Sequence, residues 1–349
     1  MKKKILVAPL HWGLGHATRC VAIIKALENH GFEPVLASDG AALVLLQKEF
    51  PHLLALELPS YHIEYPKNGW FFRVKMLQNL PKIIKAVWLE KKLVRQWIAD
   101  FNIKGIISDN RFGVYNSQIP SVYVTHQLWV FSGITSCLSS FLHQIFIKKF
   151  KQIWVPDFEK APCLSGKMGH LKKTSLSIRY LGILSRFEKE ILPLKIDVLV
   201  LISGPEPQRS LFENKMMSSF LNSKVDVVLV RGIIEETQTK TVQNNLTIYN
   251  FMTSDELQTT INSSNMVICR SGYSSIMDLI QLEKKAFLIP TPGQYEQEFL
   301  AKKMQRDGVF PYISQSNFDF KKWVEIDQFS IYKNQKTAVD WAVLFRIFE

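Results

Sequence analysis

The chain has 349 residues, 47% of them hydrophobic and 21% charged, which is apolar material for two domains of ordinary size and argues against a disordered chain. Cys20, Cys137, Cys163 and Cys269 stand far apart with no C-x-x-C pair, so neither a disulfide framework nor a cysteine zinc site is indicated, and a reduced cytoplasmic setting fits. The net charge of +12 is uneven: residues 1–180 carry 24 Lys and Arg against 11 Asp and Glu, residues 181–349 carry 19 against 20, so an anionic partner is expected for the first half only.

The basic start "MKKKILVAPL" has too short an apolar run, and no small-residue cleavage site, for a leader; it reads as a first strand. Next come "HWGLGHATR" (11–19) and a helical stripe of Ala17, Cys20, Val21, Ile24 and Leu27 that closes at Gly31. Further strands are expected at "FEPVLAS", "LLALELP", "IKGIISD" and "PSVYVTH". The stretch 72–101 has helical period and is expected to break or kink at Pro81. Within 67–104, nine basic residues face two acidic ones, interleaved with Trp70, Phe71, Phe72, Trp88 and Trp97. This is either a solvated helix face over a core or an interfacial contact with an anionic membrane surface. The uncharged window 127–147 approaches spanning length but holds five Ser and Thr plus His143 and Gln144, so a buried or interfacial helix is expected.

A second series of strands, "DVLVLISG", "KVDVVLVRG", "LTIYNFM", "MVICRSG" and "KAFLIPTP", alternates with turn signals and helix starts. Two such series predict two Rossmann-like α/β domains, 1–180 and 181–349, with a junction in the Pro- and Gly-interrupted stretch 155–194.

Three strand-to-helix seams carry the candidate chemistry. At the first, Gly13 and Gly15 allow a sharp turn, and His16 is held where ligands bind in open α/β sheets. A dinucleotide fingerprint would need a third glycine where Thr18 stands, and Asp39 is the one acidic residue closing the second strand, so a nicotinamide enzyme is weakly supported. A plain helix-entry turn with a structural histidine is the alternative. At the second, "SGPEPQRS" (203–210) offers backbone amides to a phosphate, although Gly-Pro turns are common. At the third, "CRSGYSSIMDLI" places Gly272 and the Ser274 and Ser275 hydroxyls at a helix start with Asp278 inside it, either an ordinary capped helix or a diphosphate cradle. After the next strand, "PTPGQYEQEFLAKK" presents Gln294, Glu296, Gln297 and Glu298, a set that suits sugar hydroxyls and equally an exposed helix start.

In joint occurrence and order, "GLGHATR", "RSGYSSIMD" and "IPTPGQYEQEFLA" resemble the motifs of family 28 glycosyltransferases, of the superfamily with two facing Rossmann-like domains (GT-B) that includes the N-acetylglucosamine transferase making lipid II. The resemblance is strongest over 11–19 and 266–301 and thin over 60–180. It implies acceptor binding and a catalytic base in the first domain and a UDP-sugar donor in the second. On matching positions, Asp278 would hold the ribose, Gln297 and Glu298 the donor sugar, and Arg270, Ser271, Gly272, Ser274 and Ser275 the nucleotide pocket and diphosphate. Ser203, Gly204 and Arg209 match the phosphate loop loosely. Two departures, Asp for Glu at 278 and Glu for an amide at 298, bear on donor-sugar identity.

The implied reaction is inverting transfer to a glycan or lipid-linked acceptor, with His16 as base and Asp109 orienting it. No cofactor is expected, UDP-sugar being a substrate, and no metal, because the chain contains no Asp-x-Asp. Nucleic acid is not an expected partner. The expected location is cytoplasmic, peripheral on the inner face of the membrane if 67–104 meets lipid. A UDP-sugar 2-epimerase and a non-catalytic nucleotide-sugar or polyanion-binding protein are the rival readings.

Overall fold

The computed structural model describes residues 2–61, 72–221, 223–319 and 339–349. By internal contact the chain divides into unit 1 (Met1–Ile63, Met76–Leu184, Lys336–Glu349) and unit 2 (Glu64–Lys75, Ser185–Gln335).

Unit 1 is built on β1 (Lys4–Pro9), β2 (Glu33–Ser38), β3 (Ala55–Glu57), β4 (Ile103–Asp109), β5 (Ser121–Val124), β6 (Gln152–Val155) and β7 (Ile178–Tyr180). They form one parallel sheet in the order β3-β2-β1-β4-β5-β6-β7. Its central strands are nearly continuous apolar runs buried along almost their whole length, because crossover helices cover both faces of a parallel sheet. Helix α1 (Gly15–Asn29) connects β1 to β2, and α2 (Gly40–Glu49) connects β2 to β3. Helix α3 (Phe72–Phe101) runs through Pro81 without ending there, so of the expected break or kink the break does not occur: the proline removes one ladder hydrogen bond from a 30-residue helix whose Val94 and Trp97 remain anchored in the core. Within 127–147 a 3₁₀ turn at Gly133–Thr135 leads into the α-helix Ser136–Ile147 (α4), which is not a buried helix: its outer face is apolar and exposed.

Unit 2 carries β8 (Ile196–Leu201), β9 (Val227–Val230), β10 (Lys240–Gln243), β11 (Leu246–Tyr249), β12 (Ser264–Cys269) and β13 (Ala286–Leu288), ordered β10-β11-β9-β8-β12-β13. All pairs are parallel except the β10–β11 hairpin at the edge. The crossover helices are α5 (Gln208–Phe220), α6 (Ser254–Asn262) and α7 (Tyr273–Gln281), and α8 (Tyr295–Arg306) follows β13. Phe212, Met216 and Phe220 of α5 pack onto the β8, β9 and β12 side chains to make this unit's core.

The junction falls between Leu184 and Ser185, inside the expected stretch 155–194, but Glu64–Lys75 group with unit 2 and the residues from 336 on group with unit 1. The physical reason for the latter is the short helix α9 (Trp341–Phe345), capped by the Asp340 carboxylate accepting from the Val343 amide at 3.0 Å. It places Phe345 and Phe348, both nearly fully buried, against Phe32 and Trp154 of unit 1. Trp70 and Phe71 and the side chain of Phe72, part of the expected interfacial stretch, lie outside the described residues.

Candidate active site

In unit 1, the chain leaves β1 and turns at Gly13, whose φ of +79° only glycine adopts without strain; nothing lies within 4 Å of where a Cβ would sit, so conformation and not crowding selects the residue. Helix α1 then starts at Gly15 with no side-chain cap and no acidic residue in its first turn. His16, Arg19 and Cys20 follow at i, i+3 and i+4, one face of the helix, aimed at the carboxyl end of β4.

Asp109, fully buried at that end, is the hub. Its Oδ1 lies 2.8 Å from His16 Nδ1, both its oxygens accept from the Arg19 guanidinium, and the Cys20 thiol donates to Oδ2 at 3.6 Å. Arg19 is itself buried and reaches His126 Nδ1 at 3.0 Å with its other nitrogen. Burial would raise the Asp109 carboxyl, but the Arg19 charge, His16 and their hydrogen bonds together hold it well below the usual carboxylate range. His16 Nδ1 faces both the ionised carboxylate at 2.8 Å, which accepts, and the Arg19 guanidinium at 2.9 Å, which donates; with Arg19 already spent on both Asp109 oxygens, we assign the proton to Nδ1, which leaves the lone pair on Nε2. Burial pushes the His16 pKa down and the Arg19 charge adds to this, while Asp109 opposes, with a net lowering. The arrangement therefore keeps a neutral, oriented imidazole at pH 7 whose free nitrogen can accept a proton.

A second ionic set occupies the neighbouring strand ends. Arg111, fully buried, donates to Asp39, to Glu90 Oε1 at 2.8 Å and to the Pro9 carbonyl at 2.9 Å. His11 Nδ1 meets Asp39 Oδ2 at 3.2 Å, and its ring fills the space where a Cβ on Gly40 would stand. Asp39 is thus engaged on both oxygens, which weighs further against a dinucleotide ribose there.

In unit 2, the second and third seams and the turn into "PTPGQYEQEFLAKK" follow β8, β12 and β13, adjacent strands in the sheet. Gly204 turns with φ +104° before α5, and Ser203 beside it is half-buried. Arg209 is held by Glu206 Oε1 and Glu213 Oε2, both at 2.6 Å, so its guanidinium is committed to carboxylates. Arg270 is 1% exposed, stacks 4.0 Å from the Phe212 ring and donates to the carbonyls of Gln208, Ile289 and Pro290. Among the described residues no carboxylate pairs with it, and burial pulls its pKa down to about 9. The fully buried Ser271 donates to the Gln297 carbonyl at 2.8 Å, while the Gln297 and Glu298 side chains accept from the Thr291 and Gly293 amides at 2.8 and 2.9 Å. These residues weld the three turns together. In front of them α7 begins at Gly272 with no side-chain cap, Ser274 and Ser275 half-buried in its first turn. Asp278, one turn further in, accepts from the Ser185 hydroxyl at 2.5 Å, and burial raises its carboxyl to about 6 against the pull of Arg186 and Ser185.

The sequence singled out His16 and Asp109, and the fold joins them; it left Arg19, His126 and the Arg111 set unassigned. For Asp39, Arg111 and His126 the available signal was position, since each lies just past a strand's carboxyl end, whereas Arg19 and Glu90 lie inside helices α1 and α3. Asp157, Cys163 and His170, after β6, form the one set of potential metal-ligand side chains among the described residues, all within 4.8 Å. The Asp157 carboxylate already accepts from the amides of Phe158, Leu164 and Ser165, each at 2.8 Å, and from the Ser165 hydroxyl. With its lone pairs filled, it organises the loop and holds His170 protonated, with a pKa of about 9.

Residues 206–328 match the glycosyltransferase family 28 C-terminal domain. An uncharacterized glycosyltransferase of Methanosarcina acetivorans is 24% identical over 330 residues, covering 90% of this chain and 86% of that protein. Among solved structures, Acinetobacter baumannii MurG superposes with a TM-score of 0.56 at 11% identity, covering 100% of this chain and 99% of its own. A Listeria monocytogenes protein described as a putative UDP-N-acetylglucosamine 2-epimerase reaches 0.59 at 11% identity, covering 98% and 92%. Likeness at that identity speaks for the fold alone, which transferases and an epimerase share. With two parallel-sheet Rossmann-like units and residues 206–328 matching the family 28 C-terminal domain, the chain has the GT-B fold and is similar to the family 28 glycosyltransferases over its second half.

Proposed function

We propose that the chain is an inverting glycosyltransferase that moves a sugar from UDP to a hydroxyl of a glycan or lipid-linked acceptor. The observation that carries this reading is the His16–Asp109–Arg19 cluster: a neutral imidazole with Nδ1 committed to an ionised aspartate and Nε2 left as a base. In the reaction, Nε2 takes the acceptor O–H proton as that oxygen forms its bond to the anomeric carbon from the face opposite the leaving group. The bond from the anomeric carbon to the diphosphate breaks, and its electron pair stays on the diphosphate oxygen. That charge is stabilised by the backbone amides at the start of α7, the Ser274 and Ser275 hydroxyls and the turn at Ser203 and Gly204. Arg270 adds a buried positive charge behind the turn without touching the ligand, and Asp278 takes the ribose hydroxyls. Gln297 and Glu298 hold the sugar with the atoms their backbone bonds leave over. Arg209, being paired with two carboxylates, acts by shaping α5. The reaction as drawn needs neither cofactor nor metal.

A lipid-linked acceptor goes with peripheral association of unit 1 at an anionic membrane. The described residues contain no helix long and apolar enough to cross a membrane. The deciding experiment is a thermal-shift screen of UDP, GDP, dTDP and their sugars, followed by transfer assays with the stabilising donor and nuclear magnetic resonance of the product anomer. Selective stabilisation by UDP and a product of inverted configuration is expected. Conversion of a UDP-sugar in the absence of any acceptor overturns the reading in favour of epimerisation.

A further inference from the structure

Just past β6, a thiol, an imidazole and a carboxylate meet away from the His16 cluster. Asp157, Cys163 and His170 each bring a polar atom within 4.8 Å of the other two. Asp157 is fully buried, Cys163 and His170 are half-buried, and Cys163 is in no disulfide. The loop fixes this set from several sides. Asp157 accepts from the Leu164 and Ser165 amides, each at 2.8 Å, and so pins the two residues that follow Cys163. His170 Nε2 lies 3.3 Å from Asp157 Oδ2, and its ring stacks on Tyr180 of β7 with centroids 4.8 Å apart and planes at 11°. Tyr180 in turn donates to the Gly169 carbonyl at 3.0 Å. A Cβ on Gly169 would stand 2.2 Å from Ser165 Oγ, itself bonded to Asp157, so only glycine lets the loop close this tightly.

The charges follow from these contacts. Burial would raise the Asp157 carboxyl, but His170, Ser165 and the loop amides hold it below its ordinary value. Asp157 and Cys163 in turn hold His170 protonated against burial, with a pKa of about 9. Tyr180 is kept neutral by burial and by the negative groups near it, Asp157, Glu159 and Cys163. An imidazolium beside a sulfur favours the thiolate, which is the nucleophilic form. The other buried thiols are placed in the opposite sense: burial drives Cys20 up, with Asp109 adding to it, and drives Cys269 up to about 12. Around the loop the charge is positive. From Phe158 to Tyr180 the chain carries Lys160, Lys167, Lys172, Lys173 and Arg179, all exposed, against Glu159 as the one acidic residue.

We propose that Cys163 is the nucleophile of a Cys–His–Asp set and a site of reversible S-thiolation by small anionic disulfides. In the exchange, Cys163 Sγ attacks one sulfur of the disulfide and a new S–S bond forms. The reagent's own S–S bond breaks, and its electron pair leaves on the second sulfur, which departs as a thiolate and is protonated by solvent. Cys163 is thereby oxidised and half of the reagent reduced, and an added thiol reverses the step. The His170 charge stabilises the attacking thiolate, Asp157 holds that imidazolium in place, and the five basic residues favour a reagent of negative charge. The site takes no part in sugar transfer, so this inference and the transferase reading can each fail without the other.

The test is peptide-resolved mass spectrometry of the full chain after timed exposure to iodoacetamide or to glutathione disulfide. Cys137, exposed on α4, is the internal comparison. Near pH 6 an ordinary thiol of pKa ~8.5 is under about one per cent ionised, and Cys163 is expected to react with iodoacetamide at least tenfold faster than Cys137. From there to pH 8 its rate should stay nearly flat while that of Cys137 climbs more than tenfold. His170→Gln is expected to slow Cys163 near pH 6 at least tenfold, and Cys163→Ser to keep the parental melting temperature and UDP binding. Lys160→Ser/Lys172→Ser/Lys173→Ser should slow the reaction with glutathione disulfide severalfold and leave that with neutral hydroxyethyl disulfide unchanged. Rates at Cys163 and Cys137 that rise together with pH in the parent overturn the proposal, as does a folded His170→Gln that reacts like the parent. Zinc bound one-to-one by the purified chain and lost in Cys163→Ser overturns it in favour of a metal centre. Equal slowing of both disulfides by the lysine changes overturns the choice of an anionic reagent.

Discussion

The two units use the same device, a turn from strand to helix at the carboxyl edge of a parallel sheet, and equip it differently. In unit 1 the functional side chains bond mainly to one another: His16, Arg19, Cys20 and His126 converge on or around Asp109. In unit 2 they bond mainly to backbone: Arg270, Ser271, Gln297 and Glu298 tie neighbouring turns and leave a helix start uncapped. A charged side-chain network sets protonation and orientation, which a base requires. A backbone cradle offers many fixed donors, which a diphosphate requires.

If that division holds, removing the base damages chemistry and little else. His16→Ala is expected to slow transfer roughly 10²–10⁴-fold with donor affinity unchanged, measured by steady-state kinetics and calorimetry with UDP. Transfer at the parental rate would make His16 structural and collapse the comparison.

Asp109→Asn should act on both fold and rate, because it leaves Arg19 buried without its counter-charge. Breaking such a pair costs on the order of 3–5 kcal/mol, to be read from chemical denaturation. The native carboxyl is depressed, so its contribution to stability is in place above the unfolded-state pKa of about 3.9 and is lost as pH falls toward the native value. The stability of the parent should therefore decline through the acid range and that of Asp109→Asn much less.

The unit 2 side of the comparison is sharpened by Asp278→Ala, expected to weaken UDP binding by about 1.5–3 kcal/mol, roughly ten- to a hundredfold. Its pH dependence has the opposite sense for fold and ligand. With a native pKa raised to about 6, the carboxylate destabilises the fold as pH rises from near 4 to 6, whereas ribose binding by the ionised form strengthens over the upper part of that range. UDP affinity that stays flat between pH 5 and 8 would remove Asp278 from the ribose.

The smallest effect is expected at the turn itself. Gly13→Ala introduces a side chain into open space at φ +79°, so only backbone strain opposes it, about 1 kcal/mol in thermal unfolding. A larger loss of transfer than of stability there would show that the His16 placement depends on this turn.

The apolar runs made most of the two sheets legible, because parallel strands buried on both faces have to be apolar. The strands that escaped lack that mark. β10, "KTVQ", is exposed at all four positions and paired only through its antiparallel hairpin, so no burial pattern exists to be read. β7 is three residues long, and β6 lies directly behind a lysine cluster. The His16–Asp109 pair was legible because strand ends and helix starts of one parallel sheet share an edge. Arg19 was not, although it stands in the opening motif. Its neighbours Ala17, Cys20 and Val21 form a core stripe, and sequence spacing cannot tell a charged residue that flanks such a stripe from one buried within it by a carboxylate ninety positions away. For α4 the sequence left a buried and an interfacial helix both open, since an apolar window does not say which face is covered until its neighbours are known.

The aromatic pair at Phe345 and Phe348 has a consequence for taking the protein apart. A Cβ on Gly105 would lie 2.4 Å from the Phe348 ring, so β4 is notched to receive it, and Lys3 Nζ donates to the Phe348 carbonyl at 3.1 Å. In sequence, unit 2 is therefore an insert bracketed by pieces of unit 1. A fragment ending near Leu184 would expose the faces of Phe32 and Trp154 that these rings cover, and supplying residues 339–349 in trans should restore them. Whoever excises unit 2 must leave residues 339–349 with unit 1.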